Sequence, residues 1–210
     1  MATISWAITA CDEHVELEKL LKQLSQSINE NDEVIIQTDT DKVTPEVINV
    51  INSFKDKFSL KHYNHISFSL NKDFAAFKNN IKLYCNKEWI MYIDADEYLS
   101  EGLVDNIHEL LNINKGLVDV IAVPRINTVD GLTREHIDKW RWFVDEKGWV
   151  NYPDYQTRIC INKPEIQWIN KVHERLSGWK TIANLPEGYD LIHPKTIERQ
   201  EKQNNFYNNL

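Results

Sequence analysis

Two carboxylates one residue apart, Asp94 and Asp96, follow directly on the apolar run Trp89-Ile-Met-Tyr-Ile93, with Glu97 beside them. A short, wholly apolar run bounded by polar residues reads as a buried strand. The acid pair then leaves the sheet at a carboxyl edge, where open α/β sheets bind ligands. Such oxygens can share one hard cation, and Mg²⁺ or Mn²⁺ combines carboxylates with substrate phosphates. A calcium loop would need glycine where Leu99 stands, and a haloacid-type phosphatase would carry the pair after its first strand, followed by Thr. Asp39 and Asp41 close the run Val34-Ile-Ile36. An acid there can accept bonds from a ribose or from the imide of uracil, although such residues commonly bond their own turn backbone. Lys78 and Lys82, one helical turn apart, can counter a diphosphate or simply be solvated.

In the second half, Asp154 and Arg158, and the run Val172-His-Glu-Arg175, set ionisable groups among aromatics. His193 follows the apolar pair Leu191-Ile192 at the end of an expected strand, Tyr189–His193, as a metal ligand would, although a lone histidine is usually structural or on the surface. Several chemistries lack their motifs. No close glycines form a dinucleotide fingerprint, and Gly-Lys-Ser/Thr, Gly-x-Ser-x-Gly and His-Glu-x-x-His are all missing. His62 and His65, three apart near an expected strand, are read as structural.

These groups need a scaffold, and hydrophobic periodicity supplies one. Ile4–Thr9, Val34–Ile36, Ile66/Phe68/Leu70 and Trp89–Ile93 read as strands. Between them, Leu17/Leu20/Leu21/Leu24/Ile28, Val47/Ile48/Ile51/Phe54 and Phe74/Phe77/Ile81/Tyr84 recur at helical spacing, and Leu103/Ile107/Leu110/Leu111 follow. Thr44-Pro45 and Ser100 are helix starts. Alternation of this kind implies parallel βαβ units. Beyond Val118 the pattern changes: Val118–Val123, Thr157–Ile161, Ile166–Ile169 and Tyr189–His193 read as strands with few helices between. Ile126–Tyr155 is aromatic and weakly periodic, which predicts long loops or a short helix. The polar, helix-like ending from Thr196 carries no stop signal and suggests a domain cut from a longer polypeptide.

A chain of 210 residues suits one domain, and seven tryptophans with 42% apolar residues exclude a disordered chain. No apolar run reaches the roughly 20 residues of a membrane helix, and the first residues lack a signal peptide's basic start and cleavage site. Three unpaired-looking cysteines (Cys11, Cys85, Cys160) fit a reducing, cytoplasmic compartment. The net charge of −8 argues against nucleic acid as a partner. That charge is concentrated: Glu88 to Glu109 holds seven carboxylates and no Lys or Arg. Glu101, Asp105 and Glu109 space like a solvated helix face, whereas the Asp-Ala-Asp-Glu end of the window reads as metal-seeking.

Taken in order, these pieces resemble the GT-A glycosyltransferases of the large inverting family that includes bacterial lipopolysaccharide and capsule sugar transferases. Ile4–Glu13 resembles the family's first strand and turn, and Val34–Asp41 its second strand with an acidic end. Asp73-Phe-Ala-Ala-Phe-Lys-Asn79 resembles its helix start, and Tyr92–Glu97 its metal motif. Asp154…Arg158, Val-His-Glu174 and His193 resemble the branch lacking a Gly-Glu-Asp motif. Within the family, the chain resembles the amino-terminal domain of a virus-encoded transferase. Two departures stand out: Cys11-Asp12 replaces Tyr-Asn before Glu13, and Lys78 stands where Arg is usual, keeping charge but losing bidentate phosphate binding.

The resemblance implies an α/β, Rossmann-like GT-A single domain over residues 1–210, with a central mixed, mainly parallel sheet flanked by helices. Residues 1–115 would form a nucleotide-binding half and 116–210 an acceptor-side half. It implies transfer of a hexose or deoxyhexose from a UDP-sugar to a hydroxyl of a glycan or glycoprotein, with Mn²⁺ or Mg²⁺ held by Asp96, Asp94 and His193. Thr9, Ala10, Glu13, Asp39, Asp73, Lys78, Asp94 and Ala95 would surround the donor. Asp154, or else Glu174, would be the general base, and Trp140, Trp142 and Trp149 could stack on an acceptor sugar. Two alternatives stay open: a nucleotidyl- or phosphotransferase at the same edge, and a non-catalytic sugar-nucleotide-binding domain.

Overall fold

The computed structural model describes residues 1–58 and 62–208. The chain runs β1 (Ile4–Ala10), α1 (His14–Ser27), β2 (Glu33–Asp39), α2 (Pro45–Phe54), β3 (Tyr63–Phe68), α3 (Phe74–Lys82) and β4 (Trp89–Asp94). It continues through β5 (Tyr98–Leu99), α4 (Glu101–Asn114), β6 (Val120–Val123), β7 (Arg125–Asp130) and α5 (Arg134–Trp140). Then follow β8 (Gln156–Ile161), β9 (Gln167–Ile169), β10 (Arg175–Ser177), β11 (Ile182–Asn184), β12 (Leu191–Thr196) and α6 (Ile197–Asn208). The order β11-β6-β8-β4-β1-β2-β3 makes one sheet, parallel from β4 to β3, with β8 running antiparallel to both β4 and β6. The expected α/β architecture, a mixed and mainly parallel sheet flanked by helices, is the one observed.

Alternation decides which face each strand residue covers. Ile4, Trp6 and Ile8 of β1 pack with Leu17, Leu20, Leu21 and Leu24 of α1 and with Leu103, Ile107 and Leu111 of α4. Ala7, Ile35, Ile90 and Tyr92 face the other way, against Ala75 and Ile81 of α3 and against Trp168 and Leu176. The four α1 leucines are completely buried, and each such side chain stabilises the fold by about 1.5–3 kcal/mol. Thr44 caps α2 through Val47 N, with Pro45 in its first turn, and Ser100 caps α4 through Leu103 N.

The sheet reverses its direction of growth at β1. The chain first lays β2 and β3 on one side, then crosses to place β4 on the other. Thr9 at the end of β1 pairs directly with Asp94 at the end of β4, so the crevice opens beside the acid pair.

Three expectations change. The segment from Ile126 is not all loop: β7 pairs with β12 in a small β5-β12-β7 sheet. Its sequence, Arg-Ile-Asn-Thr-Val-Asp, alternates too weakly to announce a strand. His193 does not end its strand but lies inside it. Because β5 pairs only Leu191 and Ile192, that side of β12 is open from His193 onward, and the strand tolerates Pro194. Finally, β3 begins at Tyr63 and leaves Leu70 in the following turn. Gly102 fixes the approach of α4 to the segment before β12, since a Cβ there would stand 2.5 Å from Gly188 O.

Candidate active site

A cleft of about 620 Å³ lies over the carboxyl ends of β1, β2 and β4 and is closed on the far side by β7, β12 and α6. Thr9, Ala10, Glu13, Asp39, Lys78, Asp94, Ala95, Asp96, Glu174 and His193 all line it. Residues scattered over the whole sequence are therefore brought together in one cleft.

Asp94 and Asp96 have different surroundings. Asp94 Oδ1 accepts from Thr9 Oγ1 at 2.9 Å, and its Oδ2 accepts from Arg158 Nη2 at 2.6 Å, with Lys78 Nζ 3.5 Å away. Burial pushes its pKa up, but the Arg158 and Lys78 charges outweigh this and hold it well below the usual carboxylate range. With a hydrogen bond on each oxygen, Asp94 is a fixed wall of the cleft. Among the described residues, Asp96 is hydrogen-bonded only by His193, whose Nε2 is 3.2 Å from Oδ2, with Arg199 3.6 Å away. Against the upward push of burial, the His193 bond and charge lower Asp96 to about 2.

His193 is held by a relay. Asn127 Nδ2 donates to Asp154 Oδ2 at 2.9 Å, which turns Asn127 Oδ1 toward His193 Nδ1 at 2.8 Å. The imidazole therefore donates from Nδ1 and presents Nε2 to Asp96, the orientation a metal-binding histidine needs. Two facing lone pairs at 3.2 Å require a proton or a cation between them. A carboxylate oxygen and an imidazole nitrogen suit Mn²⁺ or Mg²⁺, provided that phosphate and water complete the shell. No group of three His, Cys, Asp or Glu placed to hold a metal ion converges among the described residues.

Asp154 stands apart from this lining. Arg125 Nε and Nη2, Asn127 and Gln156 all bond its carboxylate. Its pKa lies below the ordinary value, because the Arg125 charge and these bonds outweigh burial. A carboxylate so engaged is poor at receiving a proton. Glu174 does line the cleft, with Oε1 2.8 Å from Lys78 Nζ.

Both belong to one line of alternating charge. It runs Asp154–Arg125 (2.7 Å), Arg125–Glu97 (2.9 Å), Glu97–Arg158 (2.7 Å), Arg158–Asp94 (2.6 Å), Asp94–Lys78 (3.5 Å) and Lys78–Glu174 (2.8 Å). Two of the seven carboxylates of the acidic window, Asp94 and Glu97, are thus paired with cations from elsewhere in the sequence. Lys78 is buried, with Nζ 4.7 Å from the Trp168 ring centre, and Lys82 Nζ bonds the carbonyls of Lys163 and Ile166. Neither lysine is a solvated bystander.

Other expected site residues take local roles. Asp73 caps α3, accepting from Ala76 N at 2.9 Å, and is not among the residues that line the cleft. Glu13 lines the cleft, but its Oε2 binds Cys11 N and Asp12 N, and its Oε1 binds Arg199. Asp39 Oδ1 accepts from Asp41 N and Leu70 N, which fixes its carboxylate at the cleft wall. Of the three tryptophans, only Trp142 lines the cleft; Trp140 stacks on His136, and Trp149 packs against Tyr152. Sequence reasoning missed Glu97 and Arg125 as network members, and it missed Arg199. Arg125 follows directly on an apolar strand, a position that could have drawn attention, whereas nothing local marks Arg199.

Among known proteins, the model of glycosyl transferase family 2 matches residues 5–167. No curated protein matches the sequence. Among solved structures, S. aureus TarS 1-349 superposes with a TM-score of 0.63 at 12% identity, covering 91% of this chain and 60% of that one. The complex of TarS 1-349 with UDP-GlcNAc gives a TM-score of 0.64 at 12% identity, covering 92% and 58%. Likeness at this identity establishes the fold, and the chain spans about three-fifths of those relatives. The matches lend no support to a viral origin. Among the described residues, no helix is long and apolar enough to cross a membrane.

Proposed function

Because the chain belongs to glycosyl transferase family 2, we propose that it transfers a hexose or deoxyhexose from a UDP-sugar to a glycan or glycoprotein hydroxyl, with inversion and with Mn²⁺ or Mg²⁺. The observation that carries the reading is the Asp96–His193 pair, which is oriented from behind by Asn127 and faces the nucleotide edge of the sheet. The TarS structures with UDP and UDP-GlcNAc support a uridine donor. Residues 1–115 supply the donor side and 116–210 most of the acceptor side.

In this reading, Asp39 and the backbone of Thr9 and Ala10 hold the nucleoside. Glu13 shapes the turn through Cys11 and Asp12, and Ala95 lets the chain pass close to the donor. Asp96 and His193 would hold a divalent ion, which would supply Lewis-acid stabilisation of the diphosphate leaving group. Lys78 adds a fixed positive charge on the same side. Glu174 takes the proton of the acceptor hydroxyl as its oxygen attacks the anomeric carbon and the bond to the diphosphate breaks. Asp154 acts behind the site, holding Asn127 and thereby His193.

The test is product analysis with a panel of UDP-sugars and Mn²⁺. Free UDP, lost in Asp96→Ala, is the expected result. Pyrophosphate would mean nucleotidyl transfer instead. Tight metal–UDP binding without any turnover would leave a binding domain.

A further inference from the structure

The helix α6 returns to the nucleotide side of the cleft and is fastened there by charge. Arg199 Nη2 lies 3.0 Å from Glu13 Oε1 and 3.6 Å from Asp96 Oδ2, while Nη1 lies 3.1 Å from Glu16 Oε1. Carboxylates from the turn after β1, from the first turn of α1 and from the loop after β4 thus share one guanidinium. Lys202 adds a bond to Asp12 at 3.3 Å, and Gln203 accepts from Lys195. Gln200, Gln203 and Asn204 line the cleft. Apolar seating is slight among the described side chains. From Ile197 to Asn205 only Ile197 is apolar, and its methyl comes within 3.1 Å of a Cβ built on Gly131.

We infer that Arg199 is an internal counter-ion of the cation site, which a divalent metal displaces, loosening α6. This rests on the reading of Asp96 and His193 as metal ligands. The two cations want the same atom. Asp96 Oδ2 is the oxygen that faces both His193 Nε2 and Arg199 Nη2. A dication on that oxygen repels a guanidinium held beside it, and a half-buried site screens the repulsion poorly. Without metal, Arg199 lowers the mutual repulsion of Asp96 and Glu13, whose pKa is raised by burial and by the Asp96 charge. Glu13 and Glu16 still receive Arg199 when it yields Asp96, so α6 loses one of its three carboxylate anchors and loosens without coming free.

The test compares Mn²⁺ binding without nucleotide in the wild type and in Arg199→Gln, read from the electron-spin signal of free Mn²⁺. Arg199→Gln is expected to bind Mn²⁺ about three- to tenfold more tightly, the range set by losing one partly buried competing ion pair. Equal or weaker affinity overturns the proposal. If neither protein binds Mn²⁺ even with UDP present, the metal-site reading itself fails, and this proposal with it. A second measurement needs no variant. In the wild type, saturating Mn²⁺ should speed tryptic cleavage after Arg199 and Lys202 by at least about threefold, because a loosened helix is cut from its open state. The same ion should have no effect in Asp96→Asn. An unchanged rate in the wild type overturns the proposal even where Arg199→Gln fails to fold.

Discussion

Replacing Glu97 with glutamine tests the charge line behind the site most sharply. Glu97 is completely buried; its Oε1 receives Arg125 Nη1 at 2.9 Å and Arg158 Nη2 at 2.7 Å, while Oε2 receives Asp94 N at 3.2 Å. Glutamine keeps the volume, so no cavity contributes, and the change is one of charge and donor placement. Removing one member of a buried ion pair costs about 3–5 kcal/mol. Here Asp94 and Asp154 still hold the two guanidinium groups, which favours the lower end, about 3 kcal/mol. For a chain of this size 1 kcal/mol moves Tm by roughly 2–4 °C. Glu97→Gln should therefore melt about 6–12 °C lower, followed by circular dichroism at pH 7. A fall of less than about 2 °C would refute the reasoning, because that is what a solvated, weakly coupled surface charge gives.

Other consequences follow from the same geometry. Glu174→Gln should abolish turnover while sparing Mn²⁺–UDP affinity, measured by product release beside calorimetry; Asp154→Asn should instead weaken Mn²⁺ binding about tenfold or more through Asn127 and His193. Asp39→Ala should lower UDP affinity by about tenfold, the value of one or two lost hydrogen bonds, and should narrow the preference over CMP. Acid should unfold the chain progressively. Asp94, Asp96 and Asp154 are held below their ordinary pKa values, so the unfolded chain takes up protons first as pH falls. Their contribution is complete above about pH 5 and is lost from about pH 4 toward 2. Urea midpoints measured across that range should fall, less steeply in Asp96→Asn.

Much of the fold was legible because burial writes itself into period. The leucines of α1 and the apolar run of β4 could hardly be anything else, and together they fix where the crevice opens. Asp96 was legible for the same reason, as the polar residue that follows a strand too apolar to be exposed. What remained hidden was pairing. Nothing in Asp-Ala-Asp-Glu says that Asp94 and Glu97 are claimed by Arg158 and Arg125, which arrive from strands far along the sequence. Asp154 stood first as the base and Glu174 second, though both are acids among aromatics. Only their neighbours separate them: two donors of Arg125, Asn127 and Gln156 for one, a single lysine at the cleft wall for the other. The strand β7 escaped because a short strand in a small, half-exposed sheet needs little apolar alternation.

The central claim is that Asp96 and His193 form a cation site that serves a uridine diphosphate. Calorimetric titration of UDP into the wild type and Asp96→Ala, each with and without Mn²⁺, tests it directly. The account predicts that Mn²⁺ tightens UDP binding at least about tenfold in the wild type, roughly 1.4 kcal/mol, and leaves Asp96→Ala unchanged. Equal UDP affinity with and without Mn²⁺ in the wild type would contradict it.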